Sequence, residues 1–170
     1  MTMIIDGSSG ATFPDSSVQA VAGKVIQVVN FQTTTKVSGT TTTYTDTGIT
    51  ATITPKFATS KILVVTTVNT FYAGSTNQAG GGLRLLRGST IISYPIENSS
   101  LVPYGTATGY TSNGFIGSRE NIVYLDSPAT TSPVTYKTQI SSIVSSVTFW
   151  VNKADGSTPN STITLMEIAA

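Results

Sequence analysis

The sequence predicts an all-β chain: an antiparallel, jelly-roll-like β-sandwich of eight to ten strands behind a short N-terminal arm. Three observations carry this. Apolar residues alternate with Thr or other polar residues in one segment after another, as in ITATIT from Ile49 to Thr54, and that is the period of a half-buried strand. Thr, Val and Ile dominate these segments, and β-branched side chains lose χ1 freedom in a helix yet fit a pleated surface. Turn-forming clusters such as SPATTSP, SSIVSS and KADGSTPNS separate the segments at intervals of about eight to fourteen residues, the spacing of a sandwich.

Residues 1–22 are turn-rich and lack strong alternation, so they read as an arm; residues 23–170 form the sandwich domain. The first clear strand is GKVIQVVNFQ, starting at Gly23. A Thr-rich stretch follows, with a turn expected at Ser38 and Gly39, and then ITATIT, whose Ile49, Ala51 and Ile53 should face inward. Pro55 halts that strand, since proline cannot donate to a ladder. KILVVTTVNTFYA, from Lys61 to Ala73, is the best candidate for a central strand. Gly74 to Gly82 reads as a loop by composition, and GLRLLRGSTIISY as a hairpin turning at Arg87, Gly88 and Ser89. Between Glu97 and Gly117 the glycines and Pro103 interrupt any period, so this is a long crossing connection carrying one short strand. ENIVYLD, VTYKTQISS, VTFWVN and STITLMEI complete the set. No repeat or linker divides the 170 residues, and a single core suffices at this length.

Composition excludes several function classes. Nine Lys or Arg face eight Asp or Glu, and only 10% of residues are charged, so no field recruits nucleic acid or an anionic membrane. Neither a secretion signal nor a run of about eighteen apolar residues is present. With no Cys and no His, disulfides, thiolate metal sites and the usual Ser-His or Cys-His nucleophiles cannot be assembled. One carboxylate pair is worth testing, Glu120 with Asp126. Six residues apart on a strand they share a face but lie about 20 Å apart, beyond a glycosidase pair. The expectation is a non-enzyme with no catalytic residue, cofactor or metal. Asp155, Gly156, Ser157 and Asn160 are the one oxygen-rich loop to weigh for calcium, and ordinary turn chemistry accounts for them better.

The remaining candidates concern contacts. Tyr94, Tyr104 and Tyr110, with Asn77 and Gln78, lie in irregular segments where amphipathic rings and amides can meet a sugar or protein surface, or can pack on their own scaffold. Trp150 reads as a core or interface anchor. Alternation in TITLMEI sends Glu167 inward with Ile163 and Leu165, and a buried carboxylate needs a partner, for which Lys61 is the first choice. In the arm, Ile4, Ile5 and Phe13 are apolar with no slot in the predicted sandwich, so they are candidate docking residues toward another chain.

The segment ATFPDSSVQAVA resembles the TFPDGT-type segment that recurs in tailed-bacteriophage fibre and appendage proteins, with Ser16 where Gly is common. GKVIQVVN, TDTGITATITPKFATSKILVVTTVN and STITLMEIAA are similar to small β domains of phage virion proteins, cyanophage-like ones above all; residues 74–117 match nothing comparable. The resemblance implies a virion protein, commonly homotrimeric, whose N-terminal piece docks to other virion proteins while the β domain faces outward, toward a host-surface glycan or protein. A tail fibre is the first reading. A capsid decoration (cement) protein is the alternative that the short length favours, and a glycan-binding module unrelated to phage is the third.

Overall fold

The computed structural model describes residues 24–74, 79–93, 106–109, 115–153 and 159–169, together with the strand pairing of residues 4–6, 10–12 and 18–19. Among them there are strands and no helix. The N-terminal strands are β1 (Ile4–Asp6), β2 (Gly10–Thr12) and β3 (Val18–Gln19). They pair antiparallel with each other, in the order β1-β2-β3, and, among the described residues, with no strand of the sandwich.

The sandwich runs through β4 (Val25–Thr33), β5 (Val37–Gly39), β6 (Thr45–Ile53), β7 (Lys61–Gly74), β8 (Ala79–Arg87), β9 (Thr90–Ser93) and β10 (Thr106–Gly109). It continues through β11 (Phe115–Asp126), β12 (Val134–Ser142), β13 (Val147–Val151) and β14 (Ser161–Ile168). One sheet has the order β10-β8-β12-β6, with β9 beside β8. The other has the order β4-β14-β7, with β11 on the far edge of β7 and the β5-β13 pair continuing the β14 edge. Numbering the eight principal strands β4, β6, β7, β8, β10, β11, β12 and β14 in chain order, the sheets read 1-8-3-6 and 2-7-4-5. That is a jelly roll, two Greek keys wound so that most connections cross between sheets.

The central strand β7 explains why the layers form. Its inward side chains Ile62, Val64, Val68 and Tyr72 are fully buried and pack with Ile49, Ile53, Leu83, Leu85, Tyr136, Ile140, Phe149, Ile163 and Leu165 from both sheets. Each such aliphatic side chain contributes about 1.5–3 kcal/mol on leaving water. The expected inward set on β6 holds, with Ile49, Ala51 and Ile53 all buried. A bulge at Gly48 (φ 79°) lies within that strand, where the pairing with β12 shifts between Lys137 and Gln139.

Where β13 ends and β14 begins, along one edge of β7, a buried Asn152 holds the corner. It adopts φ 55°, which Asn tolerates better than most residues. Its N–H donates to Asn69 O, its amide nitrogen to Thr33 O and Thr35 O, and its amide oxygen accepts from Ser161 Oγ at 2.6 Å.

Two expectations are corrected. Ser38 and Gly39 lie in β5, not in a turn, because Gly39 passes under the Phe149 ring, where a Cβ would sit 2.8 Å from Phe149 Cζ. Gly80, Gly81 and Gly82 lie in β8, not in a loop. The reason is close approach: a Cβ on Gly81 would collide with the Ser141 carbonyl oxygen of β12 and lie 2.5 Å from Tyr72 Cε1. The hairpin turn at Gly88 and the short strand inside the crossing connection, β10, are as expected.

Gly81→Ala should therefore cost about 3 kcal/mol or more in urea unfolding, because backbone itself must move. Gly88→Asn, at φ 58° with open space around it, should cost less than about 1 kcal/mol. Similar small losses for both would contradict the close-approach account.

Candidate functional site

Strand alternation leaves each sheet one outer face, and the two faces differ in chemistry. On the five-stranded sheet the outer face is ionic and hydroxylated. Asp46 accepts from Lys137 Nζ (2.9 Å) and Gln139 Nε2 (2.7 Å), while Gln139 Oε1 accepts from Arg84 Nε and Nη2. The Arg84 guanidinium also stands 4.1 Å over the Tyr44 ring. Partial burial alone would raise the Asp46 carboxyl, but the hydrogen bonds from Gln139 and Lys137 and the nearby Lys137 and Arg84 charges hold it below its ordinary value.

The six-stranded sheet is different. Its registers align Val28, Met166, Leu63 and Leu125 in one row across β4, β14, β7 and β11. The next row is Asn30, Thr164, Val65 and Val123. Val28 is 56% exposed, Val123 66% and Leu125 48%. That second row is apolar only on β7 and β11, since Asn30 Nδ2 donates to Thr164 Oγ1 across β4 and β14, and the following row is amides and hydroxyls throughout: Gln32, Thr162, Thr67 and Asn121 align, with Thr67 Oγ1 donating to Asn121 Oδ1 at 2.7 Å. A shallow cavity of about 350 Å³ opens at this polar end, lined by Gln32, Thr33, Thr34 and Asn160. Farther along β7, beyond the polar row, Phe71 and Trp150 meet edge to face at 5.6 Å, with Lys153 Nζ 4.0 Å over the indole. Trp150 is thus outside the core, whose place is taken by its neighbour Phe149. Among the described residues this face carries Lys61, Arg119 and Lys153 and no carboxylate.

The carboxylates of the six-stranded sheet point inward instead. Glu167 is fully buried, as alternation predicts, but Lys61 is not its partner. Lys61 pairs in register with Ile168, one residue beyond Glu167, so the period of two turns its side chain out to solvent. Neutral donors take its place. Gln27 Nε2 donates to Glu167 Oε2 at 2.5 Å, and the N–H groups of Lys56 and Phe57 donate to Oε1 at 2.7 and 3.4 Å. Gln27 Nε2 also donates to Thr54 O. The carboxylate thus fastens the connection by which the chain leaves β6 in one sheet and enters β7 in the other. Burial pushes the Glu167 carboxyl up, but the facing Ser60 hydroxyl, the Gln27 amide and the two backbone N–H groups together hold it below its ordinary value. The Ser60 hydroxyl is itself buried and makes no hydrogen bond among the described residues.

Asp126 and Glu120 share the inward face of β11 but not a role. Both Asp126 oxygens accept from Arg87 Nη1 at 2.9 Å, and Oδ2 accepts from Tyr136 Oη at 2.7 Å, a latch between the two sheets. Burial, reinforced by the Asp126 bond, pushes the Tyr136 hydroxyl far up. Glu120 Oε1 and the Tyr72 hydroxyl are buried with no hydrogen-bond partner among the described residues. The remaining sequence candidates are placed as follows. Tyr94, Tyr104, Tyr110, Asn77, Gln78 and Phe13, like Asp155, Gly156 and Ser157, lie outside the described residues. Ile4 and Ile5 lie in β1. Asn160 donates to Gln32 Oε1, and its carbonyl accepts from Asn69 Nδ2. No protein-family model and no curated protein matches this chain.

Because Glu167 binds its proton less tightly folded than unfolded, its stabilisation is fully present above the ordinary carboxylate range and is lost as pH falls through the lowered value. Glu167→Gln should cost about 1–3 kcal/mol at pH 7 and flatten the acid limb of the stability curve. Lys61→Met should change stability by less than about 0.5 kcal/mol. Thermal melts from pH 7 down to pH 3 check both; coupling between the two substitutions would restore the ion pair that the geometry rejects.

Proposed function

We propose that the chain is a structural, non-catalytic module of a phage virion: a homotrimeric tail-fibre or appendage domain that presents its loops to the host surface. The observation that carries this is the N-terminal sheet. Among the described residues, strands β1 to β3 pair with each other and with none of the sandwich strands, and three such short strands need a covering layer to persist. A neighbouring virion protein or subunit supplies that layer, in line with the resemblance of ATFPDSSVQAVA to appendage segments. The jelly roll adds support, since virion and carbohydrate-binding domains are recurrent users of that architecture. Host contact then falls to the loops, with Tyr94, Tyr104, Tyr110, Asn77 and Gln78 as the candidate residues.

Removing residues 1–22 should shift the melting temperature by less than about 2 °C, as expected when no core contact is lost, and should abolish incorporation into particles. Antibody labelling of intact particles by cryo-electron microscopy should place the full chain on the tail. Labels spread over the head would favour the decoration role instead, and incorporation of the truncated chain would contradict arm docking.

A further inference from the structure

We propose that the cavity at the corner of β4 and β14 is a binding site for a neutral sugar unit, and that the amide and hydroxyl row beside it carries the rest of a neutral oligosaccharide. This goes beyond the virion reading above, which gives surface contact to the loops, and it holds whether or not a particle carries the chain.

The site is preformed. The β4 to β14 ladder ends at the pair Thr33 and Ser161, and there Gln32, Thr33, Thr34 and Asn160 line the cavity of about 350 Å³, at the small end of the range for ligand sites. Buried Asn152 holds one wall: its amide nitrogen donates to Thr33 O and Thr35 O, and its amide oxygen accepts from Ser161 Oγ. Thr33 Oγ1 accepts from the Thr35 N–H. The other wall hangs on Asn69, whose side chain donates to Asn160 O at 2.7 Å and whose N–H donates to Ser161 Oγ. Walls pinned in this way lose little freedom when a ligand arrives, which lowers the cost of binding.

The lining chemistry selects the occupant. Asn160 Nδ2 donates to Gln32 Oε1 at 3.0 Å. A primary amide has two N–H donors and an acceptor oxygen, and among the described residues Gln32 Nε2 and Asn160 Oδ1 make no hydrogen bond. A donor and an acceptor side by side match neighbouring hydroxyls of a sugar, each of which both donates and accepts. Gln32, Thr34 and Asn160 are exposed, so these groups are within reach of a ligand. No lining residue is charged, so a carboxylate or phosphate gains no counter-charge here. An apolar ligand would strip the amides of water without replacing its hydrogen bonds. A peptide anchors through apolar or charged side chains, and the lining suits neither. From Gln32 the row continues through Thr162, Thr67 and Asn121, one residue per strand at about 4.8 Å, close to the width of one sugar ring. Asn121 Oδ1 accepts from Thr67 Oγ1, while among the described residues its Nδ2 makes no hydrogen bond.

NMR titration of the full chain tests this, with neutral oligosaccharides of glucose, galactose, mannose, rhamnose and N-acetylglucosamine, from single sugars to tetrasaccharides. At least one series should move the amide resonances of Gln32, Thr33, Thr34 and Asn160. Its tetrasaccharide should bind at least about tenfold more tightly than its single sugar, since each added unit reaches another amide or hydroxyl. Gln32→Ala and Asn160→Ala should each weaken that binding about tenfold, with melting temperatures within about 2 °C of the parent because both side chains are exposed. Thr50→Ala, on the outer face of the five-stranded sheet, should bind as the parent does. Raising salt from about 50 to about 500 mM should leave the affinity unchanged, because no charge is engaged. Tighter binding of uronic-acid oligosaccharides, salt-sensitive binding, or undiminished binding by both alanine variants overturns the site. So does a panel in which no sugar moves those resonances at millimolar concentration. A tail-borne chain that binds no sugar sinks this site alone, and a sugar-binding chain absent from particles sinks the virion reading alone.

Discussion

A two-layer sandwich gives each strand one face to bury, and β7 carries apolar residues on both. Its inward residues Ile62, Val64, Val68 and Tyr72 organise the core. Its outward residues Leu63 and Val65 stay half-buried between Met166 and Thr164 on one side and Leu125 and Val123 on the other. Every principal strand of the six-stranded sheet is placed by pairing with β7 or with a strand that does so. The period of two fixes which side chains point where, and a slip of one residue would send Glu167 to solvent and Lys61 into the core. The chemistry left outside is a consequence of the same register that builds the inside.

The interior polar groups show how a chain with few charges uses them. Asp126 spans the sheets through Arg87 and Tyr136, while Glu167 gathers two backbone N–H groups and an amide at the end of the sandwich. In both places a carboxylate accepts several hydrogen bonds at once, which offsets the cost of taking it out of water. Charges drawn inward in this way are missing from the outer face of their own sheet. The result is a scaffold whose connections are pinned and whose six-stranded face is apolar at one end, amide-rich in the middle and aromatic at the other.

Much of this was legible in the sequence, because alternation is local information. The inward residues of β6, the inward turn of Glu167, the hairpin at Gly88 and a short strand within the crossing connection all follow from period and turn chemistry. What escaped depends on contacts between strands. Gly81 resembles loop glycine by composition, and only the approach of the Ser141 carbonyl from β12 reveals its purpose. Charge pairing points to a cation as the partner of Glu167, whereas the donors come from Gln27 and from the backbone of the β6 to β7 connection. The apolar row was equally hidden: Val28, Met166, Leu63 and Leu125 are far apart in the chain, and no single strand shows that they align.

The central claim is that one register decides the interior of this sandwich, with Glu167 drawn inward to fasten the β6 to β7 connection. Amide hydrogen exchange addresses it most directly. If the carboxylate holds the Lys56 and Phe57 N–H groups, both exchange faster in Glu167→Ala than in the parent, while exchange along β12, away from that connection, is unchanged. Equal protection of Lys56 and Phe57 in the two proteins would contradict the account.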